Sequence, residues 1–184
     1  MNFLITGFFR SWIAICSLLL AESESTDNYP TLDTMTIEYH PIGEFHSNLT
    51  PQTGAPRQGI LQPENSGSIE IFEEYAEALR DIGKYEYIIV IYHMHISRKW
   101  QSDVRPPGSN RSFGLFATRS PNRPNPIGIG VIKLDGIDGN KLHVSGIDAF
   151  DGTPVLDIKP WIPSIDCPST KTIPEIENDL GLEN

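Results

Sequence analysis

One stretch limits the folds open to this chain more than any other. Tyr87 to Ile96 reads Tyr-Ile-Ile-Val-Ile-Tyr-His-Met-His-Ile, β-branched and aromatic, and apolar on both faces. Such a run is a strand sheltered on both sides, central in its sheet. The segments around it are short and bounded by turns. Ile37 to Ile42 reads as a strand closed by Pro41 and Gly43, and Ser68 to Phe72 as a second. Ile127 to Leu134, then Asp138-Gly139-Asn140, then Lys141 to Ile147 have the form of a β-hairpin, and Val155 to Ile158 adds a last strand. Phe72, Tyr75, Ala76, Leu79 and Ile82 recur at helical spacing up to Gly83. Fifteen Gly and fifteen Pro favour short strands and turns over a helical bundle. The expected fold is mainly β, either an all-β barrel or an α+β domain in which β dominates.

A length of 184 residues suits one compact domain with tails. Met1 to Ala21 is the most apolar part, and Trp12 to Ala21 has the character of a signal-peptide core. It is short for a spanning helix, which needs about 20 residues. A second explanation is a start assigned too early, since Met35 stands directly before the first segment that reads as folded. The second is favoured, because the chemistry read below belongs in the cytosol. The expected organisation is a leader-like segment and linker over 1–34, a folded domain over 35–168, and an acidic tail over 169–184. Cys16 and Cys167 are the only cysteines, too few for a disulfide framework or a cysteine-only zinc site.

Charge is unevenly placed. The chain carries a net −10, yet Arg98, Lys99, Arg105, Arg111, Arg119 and Arg123 face only Asp103 over 26 residues. A positive island on an acidic protein implies a specific anionic partner, and five of its six cations are Arg, suited to forked contacts with phosphate or carboxylate. Trp100, Phe113 and Phe116 are interleaved with them and could stack on bases. Prolines in Val104 to Gly108 and in Arg119 to Gly128 stiffen the loop and would hold Arg119, Arg123 and Asn125 in set directions. Asp148, Asp151 and Asp157 cluster about an Asp-Gly-Thr-Pro turn, where a carboxylate could hold a ribose or an amino group, or accept a proton. His93 and His95 share one strand face at period two, and with His143 could form a cupin-like metal site. Gly128-Ile-Gly130 lacks the third glycine of a dinucleotide loop.

Five segments in order then carry a family resemblance: Gly54 to Gln58, Ser97 to Trp100, Val104 to Pro107, Gly114 to Gly128 and Asp151 to Pro160. Over about residues 37–166 the chain resembles the TsaA-like, or tRNA-methyltransferase O, family. The resemblance implies a small single-sheeted β-barrel with one or two short helices, usually a cytoplasmic homodimer, that uses S-adenosylmethionine. It also implies methylation of N6 of threonylcarbamoyladenosine next to the anticodon of tRNA. Carried over residue by residue, Pro56, Arg57, Gln58, His93, Met94, Arg119, Val131, Asp148, Ala149, Phe150, Asp151, Gly152 and Thr153 match positions lining the family's cofactor pocket. At Met94 the family often has Gln. Arg98, Lys99, Arg105, Arg111, Arg123 and Asn125 are the expected tRNA contacts. Arg119 is the expected catalytic cation and Asp151 or Asp157 the proton acceptor; no metal is called for. The competing readings are a non-catalytic RNA-binding β module and a metalloprotein built on His93, His95 and His143.

Overall fold

The structure, a computed structural model, describes residues 35–169. The expectations for residues 1–34, and all but the first residue of the expected tail, lie outside the described residues. The chain divides into two units, Met1–Glu38 and Tyr39–Asn184. Among the described residues no helix is long and apolar enough to cross a membrane.

Among the described residues eight strands form: β1 (Gly43–Ser47), β2 (Ser66–Ile71), β3 (Tyr87–His93), β4 (Asp103–Val104), β5 (Phe113–Gly114), β6 (Ile127–Asp138), β7 (Lys141–Ser145) and β8 (Pro154–Pro160). Six of them close into an antiparallel barrel in the order β1-β2-β7-β6-β3-β8, and β4 pairs with β5 as a separate two-stranded arm. One four-residue helix, α1 (Pro163–Asp166), follows. The expected single-sheeted barrel is what the chain forms.

Strand periodicity fills the barrel. Phe45, Ile69, Ile71, Ile88, Val90, Ile132, Leu142, Val144 and Val155 point inward and are fully buried. Each contributes about 1.5–3 kcal/mol by leaving water, so most of the stability resides in the barrel, with Ile147 and Ala149 of the following turn buried against it. Tyr92 is the inward residue nearest the end of β3, its ring edge-on to Phe45 at 5.6 Å. β3 lies between β6 and β8, and in a closed barrel no strand is more central than another. Its two faces differ, however: Ile88, Val90 and Tyr92 are buried, while the alternate residues are only half-buried on the outer face.

Three local expectations are corrected. No strand runs over Ile37 to Ile42; β1 begins at Gly43, after Pro41, which has no N–H for a ladder. Ile42 alone is tied in, its N–H donating to Val155 and its carbonyl accepting from Phe72. The helical pattern over 72–82 folds as two 3₁₀ segments, Glu73–Leu79 and Ile82–Lys84, broken by Asp81 at φ 74°. Ala76, Leu79 and Ile82 recur every three residues, the 3₁₀ repeat, and the run is too short to sustain an α-helix unaided. Finally, β3 ends at His93, and His95 lies in the turn beyond, its N–H bonded to the His93 carbonyl. The two histidines therefore do not share a strand face, and among the described residues no cluster of His, Cys, Asp and Glu could hold a metal.

Candidate active site

Loops at one end of the barrel enclose a cleft of about 710 Å³. Its wall is formed by the end of β3, the start of β6, and segments at 51–58, 94–98, 118–123 and 148–153. Each is fixed locally. Met94 N–H donates to Pro126 O, and the Asn122 side chain accepts from Arg98 N–H at 2.7 Å. The 148–153 turn is held at Gly152 (φ 71°), whose N–H donates to Phe45 O. Gly59 approaches the Gly146 carbonyl so closely that a Cβ there would stand 1.9 Å from the oxygen. That contact seats the 55–58 loop against the chain leading into Asp148.

At the inner end of the cleft the Tyr92 hydroxyl donates to Asp148 Oδ1 at 2.8 Å. The ring lies over Gly128, its cross-strand partner on β6. Any side chain at 128 would occupy the ring's place, which explains a glycine that no dinucleotide loop requires. Burial pushes the Asp148 carboxyl up from the ordinary value of 3.8; the Tyr92 hydroxyl, the Gly59 N–H and the Arg119 charge pull the other way without cancelling it. Tyr92 is also pushed up, first by burial and then by the charge on Asp148, so its hydroxyl remains a donor. Arg119 reaches across to Gln58 Oε1, and Arg57 donates to the Pro107 carbonyl at 3.0 Å. These two bonds tie the 55–58 loop to the arginine-rich stretch at positions 50 and 61 residues away in sequence.

The cleft gathers many of the expected residues: Pro56, Arg57, Gln58, Met94, Ala149, Phe150 and Thr153, with Arg98, Arg119, Arg123 and Asp148. Others stand outside it. His93 pairs with Ile127 on the barrel wall, and Val131 faces outward opposite Ile89. Asp151 accepts from Ser47 N–H at 3.0 Å and sits 3.9 Å from His46, so it and Gly152 shape the turn and do not line the cleft. Asp157 is further removed. A bulge in β8 leaves Val155 opposite Tyr92 and Asp157 opposite Ile91, which turns Asp157 to the outer face beside Lys159 at 2.6 Å. Of the three carboxylates read in the sequence, Asp148 reaches the cleft. Arg105 is bonded to Ser109 O within the 103–114 arm, and Arg111 covers the Phe113 ring at 4.4 Å. Lys99 and Asn125 are exposed and do not line the cleft.

A match to the family model for the tRNA-methyltransferase O N-terminal domain covers residues 44–167. The chain belongs to the tRNA-methyltransferase O family. Two relatives illustrate its span. An S-adenosyl-L-methionine-binding protein of Archaeoglobus fulgidus is 45% identical over 127 residues, 69% of this chain and 91% of that protein. The mouse tRNA (adenine(37)-N6)-methyltransferase is 32% identical over 161 residues, 84% of this chain and 37% of that protein. The crystal structure of TrmO from Pseudomonas aeruginosa superposes with a TM-score of 0.64 at 34% identity, covering 75% of this chain. This chain spans 61% of the length of that crystallised tRNA-methyltransferase O protein.

The sequence reading missed Tyr92, Ser97, Thr118, Asn122 and Gly128 as cleft residues. Tyr92 had a signal: a tyrosine at an inward strand position needs a partner for its hydroxyl. A test of the buried pair follows from the raised carboxyl. A group that titrates higher when folded adds most stability below about pH 3.8, and that stability is lost as pH rises through its folded value. Asp148→Asn should therefore flatten the pH dependence of the thermal midpoint, leaving the midpoint at neutral pH equal to or above that of the parent. A neutral-pH midpoint well below the parent would show instead that the charge stabilises the fold.

Proposed function

We propose that this protein is an S-adenosylmethionine-dependent tRNA methyltransferase that acts on N6 of threonylcarbamoyladenosine at position 37, beside the anticodon. One observation carries the reading: the buried Asp148–Tyr92 pair and the Arg119–Gln58 bridge meet in a single cleft opening onto the basic island. The cleft residues suit the cofactor. About 710 Å³ is ample for a nucleoside-sized ligand, Ala149 and Phe150 offer apolar contact, and Asp148 offers an acceptor for an amino or ribose hydroxyl group. Pro56, Arg57, Gln58, Met94 and Thr153 are the other residues placed to hold it. When bound, it supplies an electrophilic methyl group.

The chain's own part is orientation. Arg119 and Arg123 present guanidinium groups suited to the threonyl carboxylate and nearby phosphates. Asp148, held by the Tyr92 hydroxyl, the Gly59 N–H and its own N–H, keeps one edge of the cleft fixed, and the packed barrel behind it resists displacement. The enzyme works as a homodimer in the cytosol, where its two substrates occur. The outer face of β3 and β6 supports the pairing: Ile129 and Val131 are 52% and 41% exposed opposite Ile91 and Ile89, an apolar patch that continues from the cleft wall, which Ile129 also lines.

The deciding experiment is methyl transfer to an anticodon stem-loop carrying threonylcarbamoyladenosine, beside the same stem-loop with plain adenosine. Transfer should require the modification and appear in the modified nucleoside by mass spectrometry. Equal transfer to both would refute the threonylcarbamoyl specificity. RNA binding without any transfer would favour a binding module.

A further inference from the structure

An aromatic side chain near the cleft rim is unused by the site described above. Phe116 is 79% exposed, more than any other large apolar residue among those described. It is nevertheless firmly presented. Leu115, its neighbour in the 3₁₀ turn Leu115–Ala117, is buried, and Leu115 N–H donates to Ser102 O at 2.8 Å. The Thr118 hydroxyl and N–H both return to Leu115 O, closing the turn. The Arg123 guanidinium stands 5.5 Å from the ring centroid, steadied by a 3.0 Å bond to Thr118 O. Thr118 and Arg123 line the cleft. Phe113 differs, being half-buried beneath Arg111.

We propose that Phe116 and Arg123 form a stacking subsite for an unpaired nucleobase of the RNA substrate, adjacent to the nucleotide held in the cleft. The inference rests on the tRNA reading above. A rigid ring beside a planar cation suits the face of a base, and the surrounding arginines suit its phosphates. A second copy of this chain is a poorer occupant, because a two-fold contact here would set the basic island against itself.

The test compares the parent with Phe116→Ala, Phe116→Leu and Phe116→Trp, titrating an anticodon stem-loop at several salt concentrations. Both Ala and Leu should weaken binding on the order of 10-fold while keeping the parent's salt slope, since no phosphate contact is lost. Phe116→Trp should bind at least as tightly, and its added indole emission should be quenched as RNA is titrated. Thermal midpoints should stay level across the series, as expected at so exposed a position. Parent-like binding by Phe116→Leu overturns the subsite alone, because leucine keeps the apolar contact and removes the ring. A changed oligomeric state in that variant overturns it in favour of self-association. A parent protein that binds no stem-loop at any salt overturns it together with the tRNA reading.

Discussion

Replacing Arg119 by alanine should lower kcat/KM for methyl transfer on the order of 100-fold, the scale of losing one charged donor from a preorganised site. The thermal midpoint should barely move. Arg119 is exposed, it bridges to Gln58 from a loop, and most of the buried apolar side chains that hold the fold lie elsewhere, inside the barrel. Arg119→Lys keeps the charge but not the fork, and should recover only part of the loss. Steady-state kinetics beside a melting curve separates the two roles. Normal activity per folded molecule with a large drop in midpoint would mean that this residue holds the loop and leaves the substrate alone.

A comparably large effect is expected from a single methyl group at position 128. In Gly128→Ala the Cβ would lie 2.2 Å from Tyr92 Cε2 and 2.6 Å from Cζ. The ring cannot simply swing aside, since its hydroxyl is bonded to Asp148 and it packs T-shaped against Phe45. Overpacking of this kind costs about 1–3 kcal/mol, and the lost hydroxyl bond adds about 1 kcal/mol. The thermal midpoint should fall by about 10 °C. Activity per folded molecule should fall as well, because the displaced ring no longer braces Asp148. A double-mutant cycle isolates the cause: in a Tyr92→Ala background the same substitution should cost little. Additive effects in that cycle would place the damage elsewhere in β6.

These two positions also show where sequence reasoning succeeds and where it stops. The basic, proline-rich loop declares Arg119 and Arg123 openly, because composition and loop stiffness are local properties. The barrel was legible for similar reasons. Tyr87 to His93 is β-branched, and Asp138-Gly139-Asn140 carries the turn, with Gly139 at φ 60°. The choice among carboxylates was not legible. Asp151 and Asp157 read as well as Asp148 until the bulge opposite Ile91 and Tyr92 fixes which way Asp157 faces, and a bulge is a property of two strands together. Gly128 is a similar case. Its meaning depends on the residue across the ladder, Tyr92, which is remote in sequence. The 3₁₀ segments over 73–84 show a third kind of gap, where a three-residue repeat passes for a helical one until length and packing decide.

The closure of the barrel has a consequence for how anything can bind to it. In an open sheet the outermost strand offers a row of unpaired backbone groups, and extended peptides commonly add themselves there as an extra strand. Here β1 pairs with β8, Gly43 opposite Val155 and Glu44 opposite Pro154, so the six-stranded sheet has no first or last member. A partner of the barrel must therefore recognise side chains and loops, whose chemistry varies with sequence, and cannot extend its sheet through the backbone pattern that all strands share; β4 and β5 stand outside that closure. Discrimination between one RNA and another then falls to the loops at the barrel mouth, which can change residue by residue while the wall that carries them stays intact.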